Sequence, residues 1–280
     1  MTRLVEDDVR TLTARLGEVD AALRRATGLD VAGVAARAVG TGAGGARAAL
    51  ARAHVAVVPI TSGQGVIPGF VECVAAICAH LGCDARITAL SDVGGLAEAV
   101  GGGVDLVFAA DDGRFLALNP RLGLSADNDP CTAWAYAAAL DAACGGVAGK
   151  AVLVLGLGPV GRAAAARLVE LGAQVLVAEP DQARLDAVRD VLAVEAVTLA
   201  GGLVRARLVF DATPVPDLID AGWVGDDAVV SAPGLPACVT EAARVALGDR
   251  LVHEPLALGV ATMAVHALLG PRPLARSAAV

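Results

Sequence analysis

The stretch that decides the fold is Gly156-Leu157-Gly158-Pro159-Val160-Gly161, a GxGxxG motif preceded by the apolar run Ala151–Leu155. A helical pattern follows the motif, and Glu179 ends the next apolar run, 18 residues after Gly161. In this setting the first glycine allows a tight turn, the second lets a pyrophosphate approach the backbone, and the third permits close packing of helix on strand. Free N–H groups at the helix N-terminus then favour the phosphate charge. The pattern predicts a dinucleotide-binding site of the Rossmann type.

Glu179 indicates which dinucleotide binds. Its carboxylate would accept hydrogen bonds from the adenosine ribose diol and would repel a 2′-phosphate, so we expect NAD rather than NADP. Arg184 is the residue that could rescue NADP binding, but a surface arginine on a helix is the plainer interpretation.

Two loops are expected to complete the cofactor pocket. Asp211-Ala212-Thr213-Pro214 and Ser231-Ala232-Pro233-Gly234 each follow a predicted strand. Both would lie at the carboxyl edge of the sheet, where open α/β folds bind ligands, although an ordinary Pro/Gly turn remains the alternative for each. The predicted cofactor-binding residues are Gly156, Gly158, Pro159, Val160, Gly161, Glu179, Thr213, Pro214, Ser231 and Pro233.

Outward from the motif, buried runs alternate with helical segments, which is typical of parallel βαβ units. We therefore expect an α/β fold in which residues 149–280 form a NAD-binding domain with a doubly wound parallel sheet and a last helix that returns to the cleft. The predicted strands are Ala151–Leu155, Gln174–Ala178, Arg207–Asp211, Ala228–Ser231 and Leu251–Val252. The predicted helices lie at about 159–171, 181–192, 240–247 and 258–269.

Residues 1–148 are expected to form a smaller α/β domain for substrate binding and dimerisation, and Cys144-Gly145-Gly146 marks its end. An added N-terminal helix is predicted because apolar residues recur at spacings of 3 and 4 before Gly28, namely Val9, Leu12, Leu16, Val19 and Leu23. The Ala- and Gly-rich residues 40–53 predict a poorly specified connection. Strands are expected at Val55–Ile60, Ala85–Leu90 and Val104–Ala109, and helices at Ile67–Leu81, with Pro68 in the first turn, and Cys131–Ala143, capped at Asn128-Asp129-Pro130.

Composition and charge exclude several classes of function. The chain has 280 residues, of which 56% are hydrophobic and only seven are aromatic, and its net charge is −8. Nucleic acid is not an expected partner, because the chain offers neither a basic stretch nor stacking aromatics. No apolar run approaches the ~20 residues of a membrane span, and the N-terminus is acidic where a signal peptide would be basic. The six cysteines lack CxxC spacing, so we expect reduced thiols and no metal site. Together, these features predict a soluble cytoplasmic protein.

Missing residues exclude further chemistry. Lys150 is the only lysine, so the catalytic lysine of several two-domain dehydrogenases has no counterpart in residues 1–149. Tyr136 is the only tyrosine, and it lacks the lysine four residues later that short-chain dehydrogenases require.

Of the four histidines, His253 is the acid–base candidate, because it precedes Glu254 at the end of the last predicted strand and is expected to face the site. The others, His54, His80 and His266, are expected to be structural.

Four polar clusters interrupt the apolar sequence at strand ends: Thr61–Gly65, Ala110–Asp112, Asn128-Asp129 and Glu254. Two or more carboxylates beside Asn and Ser, with no cation nearby, suit a substrate that carries ammonium groups. The alternative is that Asp111 and Asp112 form only a loop turn and that Asn128 only caps a helix.

At these residues the sequence resembles the pyrrolysine-forming dehydrogenase (PylD) family. The similarity runs from Glu6-Asp7-Asp8 to about residue 268. It is carried by Thr27–Asp30, Val58–Gly65, Ala110–Asp112, Phe115–Ala117, Pro130–Thr132, Gly156–Gly161, Ala212–Pro214, Ser231–Pro236, Glu254–Leu256, Gly259 and Ala261–Met263. Departures are an Ala/Gly-rich insertion near 41–53, Ala257 in place of an expected Gly, and a tail from Pro271.

The resemblance implies a homodimeric, NAD-dependent enzyme that acts on 3-methylornithyl-lysine in the last step of pyrrolysine biosynthesis. It would oxidise the carbon bearing the terminal amine of the methylornithine part, after which the other amine of that part closes the pyrroline ring. By the same resemblance, the substrate is held by the backbone of Leu4 and by Ser62, Asp111, Asn128 and Glu254. The catalytic residue is left open, with Asp111 and Glu254 as candidates.

Two other functions remain possible from the residues themselves. One is a NAD-dependent dehydrogenase of another amino or hydroxy acid, in which His253 and Glu254 act as base and orienter. The other is a non-catalytic NAD-sensing module, in which the clusters around Ser62 and Asp111 shape a protein interface.

Overall fold

A computed structural model describes residues 12–63 and 67–270, which form two β-sheets flanked by helices. The first sheet has five strands: β1 (His54–Val58), β2 (Asp84–Ile87), β3 (Leu106–Ala110), β4 (Phe115–Asn119) and β5 (Leu124–Asp127). Their order is β2-β1-β3-β4-β5. β1 pairs in parallel with β2 and β3, whereas β3, β4 and β5 form an antiparallel meander. The helices of this half are α1 (Leu12–Thr27), α2 (Val31–Val39), α3 (Ala43–Leu50), α4 (Phe70–His80), α5 (Asp92–Gly101) and α6 (Asn128–Ala143).

The second sheet has six strands and is parallel throughout. Its strands are β6 (Ala151–Leu155), β7 (Gln174–Ala178), β8 (Val194–Ala196), β9 (Leu208–Asp211), β10 (Val229–Ser231) and β11 (Leu251–Val252). Its helices are α7 (Pro159–Glu170), α8 (Gln182–Arg189), α9 (Leu199–Arg205), α10 (Glu241–Leu247) and α11 (Ala257–Leu269), and single 3-10 turns occupy Ala221–Trp223 and Gly248–Arg250.

The strand order of this sheet, β8-β7-β6-β9-β10-β11, is that of a dinucleotide-binding fold and confirms the predicted α/β class. The order reverses between β6 and β9, whose last residues Leu155 and Asp211 are paired. The loops that follow these two strands therefore open into one crevice.

The predicted first helix is confirmed. Leu12, Leu16 and Leu23 are buried, and Gly28 ends the helix with a φ of 76° while its N–H donates to the carbonyl of Arg24. Val9 lies outside the described residues.

The expectation of a poorly specified connection over 40–53 is wrong. Residues Ala43–Leu50 form α3, which buries Ala46 and Leu50 four residues apart. Alanine has the highest helix propensity, and its small side chain lets helices pack closely, so the packing of this short helix outweighs its two glycines.

Two helices begin at residues other than those predicted. α4 starts at Phe70 rather than Ile67, because Gly69 takes a left-handed conformation with a φ of 79°. α6 starts at Asn128, because Asp127 is the N-cap and accepts a hydrogen bond from the Asp129 N–H. Asn128 is therefore not a cap, and its side chain is available for other contacts.

Five elements were not predicted, besides α2 and α3: α5, β4, β5, β8 and α9. Strand β4 shows why, since its burial alternates along five residues between Phe115 and Asn119. A strand this short leaves too few alternations to separate it from a loop.

The last helix, α11, packs among the elements of the first half. It contacts α2, α3, α4 and α6, and the first sheet through β4 and β5. Within the described ranges no helix is long and apolar enough to span a membrane. The division of the chain at residues 148 and 149 stays a prediction.

Candidate functional site

A cleft of 1130 Å³ lies at the carboxyl ends of both sheets. The first sheet contributes the ends of β1 and β3, and the second contributes the ends of β6 and β7 and the loop after β9. This volume slightly exceeds the range of about 300–1,000 Å³ that is usual for single-ligand sites, as expected of a cleft that holds both a cofactor and a substrate.

The glycine-rich loop gives each of its glycines a different setting. Gly156 has a φ of 80°, which only glycine adopts without strain. A Cβ on Gly161 would lie 1.9 Å from the carbonyl oxygen of Gly156, so this position needs glycine for packing. A Cβ on Gly158 would meet no atom of the described chain within 4 Å. Gly158 is therefore kept clear of protein contacts at the N-terminus of α7, where a phosphate binds favourably.

Glu179 is held beside this loop. Its Oε2 accepts a hydrogen bond from the Leu157 N–H at 2.6 Å, and its Oε1 accepts from the Asp181 N–H at 2.9 Å. The guanidinium of Arg184 lies 4.0 Å from Glu179 and 3.4 Å from Asp181. The one cation in this part of the described cleft wall is therefore paired with two carboxylates.

Two loops form the opposite wall of the cofactor half. Ala212, Thr213, Pro214 and Val215 follow β9, and Pro233, Gly234 and Leu235 follow β10; all of them line the cleft. Burial raises the pKa of Asp211, which lies behind both loops and does not line the cleft.

Asp111 lies at the rim of the substrate half. Its Oδ1 accepts hydrogen bonds from the N–H groups of Gly113 and Arg114, both at 2.8 Å. The Arg114 N–H and then the Gly113 N–H lower the pKa of this carboxyl, so it is ionised at neutral pH. Asp111 thus forms a loop turn, as the alternative interpretation expected of it. Its Oδ2, however, has no hydrogen-bond partner among the described residues.

Asn128 and Asp129 also line the cleft, on the first turn of α6. Asn128 Oδ1 accepts a hydrogen bond from the Thr132 hydroxyl at 3.2 Å. Burial raises the pKa of Asp129, and the neighbouring Asp127 raises it further. Gly259 of α11 is packed against this turn, because a Cβ there would lie 2.8 Å from Thr132 Oγ1.

Glu254 lies at the point where α11 begins. Its two carboxyl oxygens accept hydrogen bonds from the N–H groups of Leu256 at 2.8 Å and Leu258 at 3.0 Å. Burial raises its pKa, and these helix N–H groups oppose the rise. The Tyr136 hydroxyl donates to the Glu254 carbonyl and accepts from the Glu254 N–H at 2.9 Å. Glu254 is thus fixed on both its main chain and its side chain while it lines the cleft.

Most of the predicted site residues line the cleft, and three described ones do not. Ser62 is exposed beside the rim, Ser231 is buried and donates to the carbonyl of Tyr136, and Gly161 is covered by Gly156. Leu4 lies outside the described residues. The predicted residues in the lining are Gly156, Gly158, Pro159, Val160, Glu179, Thr213, Pro214, Pro233, Asp111, Asn128 and Glu254.

His253 does not face the site as expected. Its Nδ1 lies 2.7 Å from the carbonyl oxygen of Ala232, and the residue is absent from the described lining. Glu254 lines the cleft, whereas the His253 ring is turned towards the Ala232 carbonyl.

The other histidines contact neighbouring side chains away from the cleft. His54 and His80 each lie 2.9 Å from an aspartate, and His266 packs edge-on against Trp134. Within the described ranges no group of three His, Cys, Asp or Glu side chains is arranged to hold a metal ion.

Sequence reasoning missed an aromatic wall in the substrate half. Phe70, Phe108 and Phe115 line the cleft, and the rings of Phe70 and Phe115 meet edge-on at 5.2 Å. Three of the four phenylalanines in the chain are gathered here. The small number of phenylalanines could have drawn attention to these positions. Their convergence was not predictable, because Phe70 is on a helix and Phe115 is on a strand that the sequence did not predict.

The sequence is similar to known proteins along most of its length. Residues 8–125 match the model of the family described as "Pyrrolysine biosynthesis protein PylD, N-terminal domain". The chain is 35% identical over 263 residues to a pyrrolysine synthase of Methanosarcina acetivorans, covering 94% of this chain and 98% of the relative. It is 33% identical over 263 residues to the pyrrolysine synthase of Methanosarcina barkeri, covering 94% of this chain and 97% of the relative.

The fold is similar to that of solved dehydrogenases. A shikimate dehydrogenase from Aquifex aeolicus superposes with a TM-score of 0.53 at 16% identity, covering 81% of this chain and 95% of the other. A quinate dehydrogenase from Corynebacterium glutamicum, solved in complex with NAD, gives a TM-score of 0.53 at 17% identity, covering 79% and 95%. These likenesses concern the fold.

Proposed function

The chain belongs to the pyrrolysine biosynthesis protein PylD family, and on this premise we propose that it catalyses the last step of pyrrolysine formation. The reaction is NAD-dependent oxidation of the carbon that bears the terminal amine of 3-methylornithyl-lysine, followed by closure of the pyrroline ring. One observation carries the proposal: a single cleft contains both the glycine-rich loop beside Glu179 and, in its substrate half, the carboxyl groups of Asp111 and Glu254.

The cofactor half fits a nicotinamide dinucleotide. The clear space at Gly158 would admit a pyrophosphate at the N-terminus of α7. Both oxygens of Glu179 retain a lone pair for the adenosine ribose diol. Arg184 lies 4.0 Å from Glu179 and 3.4 Å from Asp181, so these two carboxylates compete with a 2′-phosphate for its guanidinium and would repel that phosphate. This arrangement favours NAD over NADP.

The substrate half suits a molecule with ammonium groups. Asp111 is ionised, and both of its hydrogen bonds from described residues are to Oδ1. Its Oδ2 can therefore accept a hydrogen bond from an ammonium group of the substrate. Glu254 lies deeper, where burial strengthens any charge-assisted hydrogen bond. The aromatic wall of Phe70, Phe108 and Phe115 would exclude water beside the reacting carbon.

NAD, when bound, supplies the hydride acceptor. Oxidation of the amine carbon also releases a proton, and the described cleft has no lysine to take it. Glu254 is the better acceptor of the two candidates, because its raised pKa brings it closer to neutrality than Asp111. The second amine of the methylornithine part then adds to the carbon of the resulting imine, and loss of ammonia leaves the ring. If water hydrolyses the imine first, ammonia leaves at that step and the ring closes on the aldehyde with loss of water.

The test is turnover by the purified full-length protein. We expect NADH absorbance to grow when the protein is mixed with NAD and 3-methylornithyl-lysine, and mass spectrometry to detect the pyrroline product. Glu254→Gln should lower kcat/KM by about a hundredfold or more, the usual contribution of a positioned proton acceptor. His253→Ala is the matched control on the adjacent residue, and it should retain turnover because His253 does not line the cleft.

Other results would support the other functions. Loss of turnover in His253→Ala, with Glu254→Gln less affected, would indicate a dehydrogenase that uses His253 as its base. Tight binding of NAD without any NADH formation from the dipeptide would indicate a NAD-sensing module. The homodimer that the resemblance implies stays a prediction.

A further inference from the structure

Asp211 is a fully buried carboxylate at the end of β9 that connects two loops of the cleft. Its Oδ1 accepts hydrogen bonds from the Thr213 N–H at 3.0 Å and the Thr213 hydroxyl at 2.7 Å. Its Oδ2 accepts from the Cys238 N–H at 3.0 Å, and its main-chain carbonyl accepts from the Gly234 N–H at 3.1 Å. One residue therefore holds the loop after β9 and the loop after β10.

The two loops also touch each other. A Cβ on Gly234 would lie 2.2 Å from the carbonyl oxygen of Thr213 and 2.9 Å from Asp211 Oδ2. Thr213 and Gly234 both line the cleft, whereas Asp211 lies behind them. The position of this carboxylate thus sets how far apart the two segments of the cofactor wall stand.

The chemistry of the group matches this task. Both oxygens of a carboxylate accept hydrogen bonds, whereas an amide offers one acceptor and one donor and can satisfy only one of the two loops. The groups that hydrogen-bond this side chain in the described chain are the N–H groups of Thr213 and Cys238, the Thr213 hydroxyl and the Cys238 thiol, none of which is a cation, and burial raises the pKa of Asp211. A buried carboxylate without a cationic partner is costly, so its presence indicates a geometric role rather than a gain in stability.

We propose that Asp211 is a positioning residue that sets the spacing of the two loops against the bound dinucleotide. The inference rests on the proposed function, because it takes NAD as the molecule that the loops face. Asp211 acts through Thr213 and Gly234 and does not itself line the cleft.

Asp211→Asn is the direct variant. Its amide group would present a donor to one of the two loops, leaving a buried N–H unpaired and letting that loop move away. The displaced loop would lose its fit to the dinucleotide, so we expect the Kd for NAD to rise by roughly ten- to a hundredfold. KM for the dipeptide at saturating NAD should stay unchanged, because Asp111, Asn128 and Glu254 are on other segments.

Thr213→Val gives a milder second variant. It keeps the N–H bond to Asp211 and loses the hydroxyl bond to Asp211 together with the long 3.4 Å bond that the hydroxyl accepts from the Val215 N–H. The Kd for NAD should therefore rise by roughly three- to tenfold, mostly the worth of the one short hydrogen bond. This variant decides the matter if Asp211→Asn fails to fold by circular dichroism.

Asp141→Asn is the matched control. Asp141 is another buried carboxylate that accepts from a backbone N–H, that of Val147 at 2.9 Å, and it is paired with Arg37 away from the cleft. We expect Asp141→Asn to lower the melting temperature without changing the Kd for NAD.

Isothermal titration calorimetry with NAD on the full-length protein separates the outcomes. If wild type binds NAD and both Asp211→Asn and Thr213→Val bind it equally well, the positioning role is overturned while the proposed function stands. The same holds if KM for the dipeptide rises as much as the Kd for NAD, since that pattern indicates a general structural defect. If wild type binds no nicotinamide dinucleotide, both proposals fail.

Discussion

Gly158 and Gly161 belong to one motif, but different physical requirements act on them. Gly161 is required by the protein itself, because a side chain there would collide with the backbone of Gly156. Gly158 is required by nothing in the described chain, and its φ of −64° and ψ of −174° are open to any residue. Only a ligand that approaches the backbone gives Gly158 a reason to lack a side chain.

This difference predicts opposite behaviour of two alanine variants. Gly158→Ala should keep the melting temperature of the wild type and lose NAD affinity by about tenfold or more, because its methyl group occupies the place of the pyrophosphate. Gly161→Ala should lower the free energy of unfolding by about 1–3 kcal/mol through overpacking. Thermal unfolding and calorimetric titration measure the two quantities. A destabilised Gly158→Ala, or one that binds NAD normally, would contradict this account.

At the scale of elements, one carboxylate joins three helices of the first half. Asp30 caps α2 by accepting from the Gly33 N–H at 2.9 Å. It also accepts from Arg24 of α1 and from Arg47 of α3, each at 2.6 Å. Burial alone would raise the pKa of Asp30, but the bonds from Arg47, Gly33 and Arg24 outweigh burial and lower the pKa to about 2.

The lowered pKa predicts how acid destabilises the protein. Because the folded pKa of Asp30 is below 3.8, its ionised form stabilises the folded state above about pH 4, and this stabilisation is lost as the pH falls towards 2. The shift corresponds to about 2 kcal/mol. Asp30→Asn keeps a capping side chain but should lose this pH dependence.

Urea unfolding at pH values between about 2 and 6, a range that starts near the folded-state pKa of Asp30, measures the effect. Glu195→Gln is the control, because Glu195 forms an exposed pair with Arg205 and should change stability little. If the stability of Asp30→Asn falls with acid as steeply as that of the wild type, the assignment to Asp30 is wrong.

At the scale of the whole molecule, the last helix connects the two halves. α11 comes after the second sheet in sequence but packs among α2, α3, α4 and α6 of the first half, and α6 in turn packs on α7 of the second. Glu254 is on the segment that leads from β11 into this helix. The cleft therefore depends on a helix that belongs to one half by sequence and to the other by contact.

We expect the two halves to unfold together. The chain has two tryptophans, Trp134 on α6 and Trp223 beside the second sheet. Trp223→Phe therefore leaves Trp134 as the fluorescent reporter of the first half, and Trp134→Phe leaves Trp223 as the reporter of the second half. Met263→Ala removes a fully buried side chain of α11 and should cost about 2–5 kcal/mol. In the Met263→Ala background, the denaturant concentration at the unfolding midpoint should fall by the same amount at both reporters. A shift at Trp134 alone would show that the second sheet is stable without α11.

Local chemistry made the second sheet and its glycine loop predictable. Strands buried on both faces consist of continuous apolar residues, as in Ala151–Leu155, and they are easily recognised. The position of a residue after such a strand also places it at the carboxyl edge, which is why Glu179 and Thr213 were expected in the cleft and lie there. The first half was less predictable, because helices α2 and α3 owe their stability to buried alanines rather than to a strong local pattern.

The sequence by itself determined the alternation of buried strands and helices in the second half, the glycine-rich loop and the carboxyl-bearing strand ends, because each depends on residues close together in the chain. Only the tertiary structure decided that Glu254 enters the cleft while His253 turns away, that Ser231 bonds to Tyr136, and that three phenylalanines form one wall. These outcomes depend on side-chain direction and on packing between distant segments. Neither is encoded in the spacing of residues along the chain.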